Sequence, residues 1–253
     1  MVRSTPAICC DSRWDTRRMA VAILVGATLS LAVGCADFSA QGRNAEGVRL
    51  FSQGRYHEAL RQFQEAAYTD PISPDGYYNL AATYHRLGLV ESRRSDLDQA
   101  ENYYNQCLDR DPNHADCYRG LAVLLAEQGR NQEAFRLVEG WVDRNPAAAD
   151  AKIELARLFQ EYGDRTAAKD HLIEALQADP DNSRALAALG KIREDMGEPG
   201  QAMVDYQRSL WYDRFQPQVA SRIAALRSTT PTPLSGGPDA ATRLVEKEAA
   251  PLR

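Results

Sequence analysis

The side chains able to do catalytic or metal-binding chemistry are few and widely separated in this sequence. Its four histidines lie in four different parts of the chain, at His57, His85, His114 and His171. No two of them stand at metal-ligand spacing. The chain also contains no glycine-rich phosphate loop, no HExxH motif and no GxSxG motif. We therefore expect no catalytic residue, no metal ion, no cofactor and no small-molecule substrate, and we predict that the protein is not an enzyme.

The five cysteines match no metal-binding or redox pattern. Cys9, Cys10, Cys35, Cys107 and Cys117 form neither a CxxC nor a CxxCH motif. Cys107 and Cys117 fall within segments of helical pattern, where a cysteine packs as a small hydrophobic residue. Buried thiols are the favoured interpretation for this pair. A disulfide is the alternative, and it requires export to an oxidising compartment.

The charge balance is acidic. The net charge is −5 and the isoelectric point is near 5.5. Proteins that bind nucleic acid broadly need a basic surface to contact the phosphates. We therefore expect no nucleic-acid partner.

The N-terminal region has the pattern of an export signal. The uncharged, apolar segment from Met19 to Val33 follows Arg17 and Arg18. The five residues that end at Cys35 resemble the lipobox of bacterial lipoproteins, which implies a signal peptide over 1–35 and lipid on Cys35. Ordinary cleavage after Ala36 and an uncleaved membrane anchor remain as alternatives. In all three cases the basic flank predicts that the rest of the chain lies outside the cytoplasm, on the periplasmic side of a bacterial envelope.

Three residue series share a repeat period of 34, interrupted once by seven additional residues. The glycines are Gly54, Gly88, Gly129, Gly163 and Gly197. The alanines are Ala59, Ala100, Ala134, Ala168 and Ala202. The prolines are Pro71, Pro112, Pro146 and Pro180. Glycine suits a left-handed turn between two helices, alanine a close helix crossing, and proline the end of a helix.

Segments 77–88 (YYNLAATYHRLG) and 56–71 (YHEALRQFQEAAYTDP) resemble the two helices of the tetratricopeptide repeat. This resemblance implies an all-α solenoid of five helix–turn–helix repeats. The predicted repeats are 40–73, 74–114, 115–148, 149–182 and 183–216. We interpret 217–227 as a capping helix, because its apolar residues recur at helical spacing, and 228–253 as a disordered tail.

Members of this family bind partners in a concave groove lined by the first helix of each repeat. Placing these groove-lining positions on this chain gives a set of predicted partner-binding residues. They are Tyr78, His85, Arg119, Arg157 and Lys191. Tyrosine and arginine are enriched in binding hot spots. The three basic residues form a predicted line that suits an acidic peptide or a C-terminal carboxylate.

The seven additional residues lie between Gly88 and Ala100. Two arrangements fit them. A second helix lengthened by about two turns would keep its phase. Alternatively, Ser95 and Asp98 form a capping box that starts the helix after a longer loop.

These patterns together predict a protein-interaction scaffold or assembly factor, anchored at a membrane and binding a protein or peptide partner. The size and plan resemble pilotin-type lipoproteins, which support pilus or secretin assembly. A structural protein that assembles with copies of itself is the alternative, because arrays of this kind can stack through their terminal repeats.

Overall fold

The computed structural model describes residues 39–229, and all of its regular secondary structure in this range is helical. The predicted signal peptide, its lipidation site at Cys35 and the tail beyond 229 lie outside these residues. The eleven helices of this range are α1 (39–52), α2 (Tyr56–Thr69), α3 (Pro74–Val90), α4 (Arg94–Arg110), α5 (Ala115–Glu127), α6 (Asn131–Arg144), α7 (Ala149–Glu161), α8 (Arg165–Ala178), α9 (Ser183–Asp195), α10 (Pro199–Tyr212) and α11 (Pro217–Thr229).

The chain divides into two compact units, one ending at Cys117 and the other beginning at Tyr118. In the first unit α2 packs against α3, and α3 packs against α4. In the second unit each helix from α6 to α11 packs against the next, and α7 also contacts α9. None of the helices within 39–229 is long and apolar enough to cross a membrane.

The alanine series lies in the buried interior of the two units. All five alanines are fully buried. Ala134 lies on α6 beside Val138 and Trp141, and all three are almost completely buried. The indole of Trp141 stacks on the ring of Tyr118 with 4.2 Å between ring centroids. A larger side chain at an alanine position would hold the helices apart, which is the role that the sequence predicts.

The prolines of the repeat mark helix ends and the glycines mark turns, with one exception. Each of the four prolines stands two residues beyond the last residue of α2, α4, α6 or α8. Four of the five glycines adopt left-handed backbone, with φ between 75° and 85°, and they are Gly54, Gly129, Gly163 and Gly197. The predicted turn role is confirmed for these four glycines.

For Gly88 the predicted turn role is wrong. Gly88 lies inside α3, and the left-handed residue of that turn is Ser92, with φ 53°. A Cβ on Gly88 would lie 2.4 Å from Cδ2 of Leu97 on α4, so glycine is needed there for close packing. The misassignment follows from the seven additional residues, which move the turn four positions beyond the glycine.

Neither of the two arrangements predicted for the additional residues is correct. Helix α3 has 17 residues where α5, α7 and α9 have 13. Helix α4 has 17 residues where α2, α6, α8 and α10 have 14. The additional residues therefore lengthen both helices, by four and by three, and α4 begins at Arg94 rather than at Ser95.

Ser92→Gly is expected to stabilise the protein. A non-glycine residue in left-handed backbone costs about 1–2 kcal/mol, and glycine loses about 0.5–1 kcal/mol more entropy on folding, so the net gain is about 0.5–1 kcal/mol. Urea unfolding followed by circular dichroism measures it. Gly163→Ala, at an equivalent turn with φ 85°, is the matched control and should have the opposite sign. A loss of stability in Ser92→Gly would contradict this turn assignment.

The last helix covers one face of α10. Val219, Ile223 and Leu226 of α11 are buried and form a cluster with Ala202 and Tyr206 of α10. These are the apolar residues whose spacing predicts the capping helix. The helix ends at Thr229, two residues beyond the predicted limit of 227.

Candidate partner-binding site

A buried glutamate in the second unit organises a cluster of charged side chains. Glu154 lies on α7 between Ile153 and Leu155, and only 1 % of its side chain is exposed. Burying a carboxylate is costly unless it is paired and hydrogen-bonded. Glu154 is paired with three arginines, one on each of the first helices α5, α7 and α9.

The three guanidinium groups converge on the two oxygens of Glu154. Arg119 donates through Nε to Oε1 at 2.9 Å and also donates through Nη2. Arg157, one helical turn away on α7, donates from Nε to Oε2 at 3.0 Å. Arg184 donates from Nη2 to Oε1 at 2.8 Å. We name this group, Glu154 with Arg119, Arg157 and Arg184, the arginine cluster.

The arginines keep Glu154 ionised. Burial alone would raise the pKa of Glu154, but the hydrogen bonds and charges of Arg119 and Arg157 outweigh burial and hold the pKa below its ordinary value. Two more exposed carboxylates lie at the edge of the cluster. Glu161 accepts from Arg157, and Asp150 accepts from Arg184 at 2.8 Å.

A cavity of about 330 Å³ opens beside the arginine cluster. Its apolar lining includes Ile153, Ala156 and Leu172, and its polar lining includes the cluster and Gln160. Nη2 of Arg157 is buried and has no hydrogen-bond partner among the described residues. The cavity therefore combines an apolar surface with the charged residues of the arginine cluster.

A second cavity, of about 370 Å³, shares Ala187 and Ala188 with the first. Its lining includes Lys191, Tyr206 and Arg222. Arg222 of α11 is paired with Glu194 of α9, and Tyr206 donates to the same carboxylate at 3.0 Å. The first helices α7 and α9 thus carry adjoining cavities, and α11 borders the second of them.

In the second unit, the three basic residues of the predicted line have different surroundings. Arg119 and Arg157 lie together, but both face the carboxylate of Glu154 instead of forming an uncompensated row of charge. Lys191 belongs to the second cavity; it is 59 % exposed and 4.0 Å from Asp195. Sequence reasoning missed Arg184 and Glu154. The available signal was a glutamate within an apolar stretch of α7, because such a position requires cationic partners.

In the first unit, Tyr78 and His85 both contact the ring of Tyr104. The distance between ring centroids is 6.3 Å in each case. Tyr78 also stacks on His114, with 5.7 Å between ring centroids. His85 is only 9 % exposed, so little of its side chain is accessible to a partner. The binding roles of Tyr78 and His85 remain predictions.

Cys107 and Cys117 form a disulfide, so the favoured interpretation as free thiols is wrong. Their Cα atoms are 6.5 Å apart, and both residues are fully buried. Cys107 lies near the end of α4 and Cys117 in the first turn of α5. The bond therefore ties together two consecutive helices across their connection.

Two bacterial proteins are similar to this chain over part of their length. A "Type IV pilus assembly protein PilF" of Pseudomonas aeruginosa is 30% identical in an alignment of 167 residues that covers 62% of this chain and 64% of that protein. A "Cellulose synthase operon protein C" of Pseudomonas fluorescens is 28% identical in an alignment of 129 residues that covers 47% of this chain and 10% of that protein. This chain thus spans less than two thirds of either relative.

A solved structure agrees in fold. The protein TTC0263 of Thermus thermophilus, described as a thermophilic TPR protein, superposes with a TM-score of 0.56 at 25% identity. The superposition covers 74% of this chain and 98% of that chain. Three tetratricopeptide-repeat family profiles match residues 47–112, 85–149 and 125–192, which together span more than half of the chain. The chain therefore belongs to the tetratricopeptide-repeat family, and its fold is that of a protein-interaction scaffold.

Proposed function

We propose that this protein is a scaffold or assembly factor anchored in a bacterial cell envelope, and that it binds an acidic segment or C-terminal carboxylate of a partner protein. The observation that carries the proposal is the arginine cluster beside an apolar cavity on the first helices of the second unit. Grooves lined by first helices are the binding surface that the family resemblance implies.

The chemistry of the cavity favours an anionic peptide. The lining carries three arginines and one glutamate, and guanidinium groups bind carboxylates through paired, directional hydrogen bonds. The existing pair with Glu154 already holds Arg157 in position, which reduces the entropy lost on binding. Ile153 and Leu172 offer an apolar surface to a neighbouring side chain of the same peptide.

Two observations support a place in the envelope. The N-terminal sequence has the pattern of an export signal that ends at Cys35. The disulfide between Cys107 and Cys117 is of the kind that persists in oxidising compartments such as the periplasm. The similarity to a type IV pilus assembly protein adds a specific proposal, that the partner belongs to a pilus assembly system.

Gln160→Glu is expected to weaken partner binding at least about tenfold. The change keeps the size of the side chain and adds a negative charge to the cavity lining, and like charges brought together at an interface oppose binding. The measurement is quantitative recovery of envelope proteins from the native host on immobilised protein. Gln177→Glu is the matched control, because it makes the same change at an exposed position of α8.

The substitution at position 160 is preferable to removal of Arg119 and Arg157. Loss of those arginines would leave the buried carboxylate of Glu154 poorly paired, so reduced binding would be confused with unfolding. If the same partner is recovered equally by wild type, Gln160→Glu and Gln177→Glu, the proposed binding cavity is wrong.

The proposed anchor is tested at the mature N-terminus. We expect mass spectrometry of the protein from host membranes to find lipid on Cys35 as the first residue. Cys35→Ser should then remove the lipid, which the same measurement detects as the loss of its added mass. A mature chain that begins after Ala36, or one that retains the whole apolar segment, would contradict lipid anchoring and favour ordinary cleavage or an uncleaved anchor.

A further inference from the structure

Three side chains of metal-ligand type meet at the connection between α4 and α5. They are Cys107, His114 and Cys117, and their ligand atoms all lie within 4.8 Å of one another. Both cysteines are fully buried, and only 13 % of the His114 side chain is exposed. The sequence predicts no metal site, because no two histidines stand at metal-ligand spacing and the cysteines form no metal-binding motif. The structure brings the two residue types together.

Two hydrogen bonds fix the ring of His114. Nδ1 lies 3.2 Å from the backbone nitrogen of Cys117 and accepts its N–H, so a metal ion bound at Nδ1 must replace this hydrogen bond. The ring proton is thereby assigned to Nε2, which lies 3.2 Å from Oδ1 of Asp75. A carboxylate on the far nitrogen is the usual second partner of a metal-binding histidine, because it fixes the ring and its tautomer.

We propose that Cys107, His114 and Cys117 bind one Zn²⁺ ion when the disulfide between the two cysteines is reduced. The Cα atoms of the cysteines are 6.5 Å apart, and two thiolates bound to one tetrahedral zinc ion need sulfur atoms only about 3.7 Å apart, given a Zn–S distance of about 2.3 Å. Two thiolates and one imidazole leave the fourth position for water. Asp75 is a positioning residue that acts through His114.

The disulfide and the ion exclude each other. A dithiol reductant supplies two electrons and two protons and is itself oxidised to a disulfide, while Cys107 and Cys117 become thiols. Zinc binding then releases two protons to solvent as the thiolates bind the ion. Either state links the end of α4 to the first turn of α5. The disulfide is the form expected in the oxidising periplasm, and the zinc form requires the dithiol reductant.

The first test compares the oxidised and reduced full chain with Cys9, Cys10 and Cys35 replaced by serine, so that only the proposed ligands can supply thiolates. Titration with Co²⁺ reports thiolate ligation through its charge-transfer absorption, and Zn²⁺ should then displace the cobalt. We expect one equivalent of metal per reduced chain and none per oxidised chain. If the reduced chain loses helical structure, Zn²⁺ should restore it in circular dichroism.

Variants assign the ligands. Cys107→Ser and Cys117→Ser should each abolish the cobalt–thiolate spectrum of a site with two thiolates. Asp75→Asn should lower zinc affinity about 10–100-fold, because loss of a second-shell partner typically has that effect. Asp98→Asn, at an exposed carboxylate of α4, is the matched control and should leave zinc affinity unchanged.

Three results would overturn the proposal. The first is a reduced chain that binds no cobalt, whether folded or not. The second is equal metal binding by the oxidised and reduced chains, which would place the ion elsewhere. The third is a cobalt spectrum that is unchanged by Cys117→Ser.

Discussion

Glu154→Ala is expected to lower the free energy of unfolding by about 3–5 kcal/mol, the usual effect of removing one partner from a buried ion pair. The side chain of Glu154 is 1 % exposed, and its removal leaves three guanidinium groups facing one another without their shared carboxylate. The arginine side chains are 23 % to 47 % exposed, so water screens part of their repulsion and the lower half of this range is expected. Urea unfolding followed by circular dichroism measures the difference.

Glu161→Ala is the matched control for this prediction. Glu161 also pairs with Arg157, but 47 % of its side chain is exposed, and exposed ion pairs contribute only about 0–1 kcal/mol. Equal losses of stability in the two variants would show that Glu154 does not organise the cluster.

The contribution of Glu154 should also depend on pH. The folded-state pKa of Glu154 lies below the ordinary value of 4.5, so its contribution is fully present above pH 4.5 and is lost as pH falls through the folded pKa. The stability difference between wild type and Glu154→Gln should therefore shrink in urea titrations below pH 4.5. A difference that grows as the pH falls would contradict the direction of this pKa shift.

Replacement of both Cys107 and Cys117 by serine is expected to cost about 2–3 kcal/mol of stability, because the bond closes a loop of about ten residues in the unfolded chain. Urea unfolding of wild type and the double variant should show this difference under oxidising conditions. Both residues are fully buried, and the new hydroxyl groups add a smaller cost of their own.

Wild-type protein unfolded in the presence of a reductant provides the control. With a metal chelator present, reduction should remove most of the difference between wild type and the double variant. If reductant leaves the wild-type midpoint unchanged while thiol labelling confirms reduction, the bond does not contribute to stability.

The repeated fold was predictable because the same steric requirements recur at each 34-residue repeat. The five alanines of the series are fully buried and four of its five glycines are left-handed turn residues, so the 34-residue period identifies the helices and turns. The turn at Ser92 was missed because Gly88 kept a glycine in the series for a different reason, the close approach of Leu97. Where the seven additional residues interrupt the period, a glycine at the expected spacing no longer marks the turn.

The candidate site was only partly predictable. Arg119 and Arg157 could be predicted from the family resemblance, because they lie on first helices, which line the binding groove of the family. Their convergence with Arg184 on Glu154 depends on three different helices and on the competition between burial and charge. The disulfide likewise depends on how α4 meets α5, which spacing alone does not establish.

The most direct test of the proposed binding site is photo-crosslinking in the native host. A benzophenone amino acid replaces Gln160, which lines the cavity beside the arginine cluster, or Gln177, which is exposed on α8. We expect a discrete crosslinked partner from position 160 and none from position 177. A peptide map should place the crosslink near acidic residues or the C-terminus of that partner. The same products from both positions, or none from position 160, would contradict the proposal that this cavity is where a partner binds.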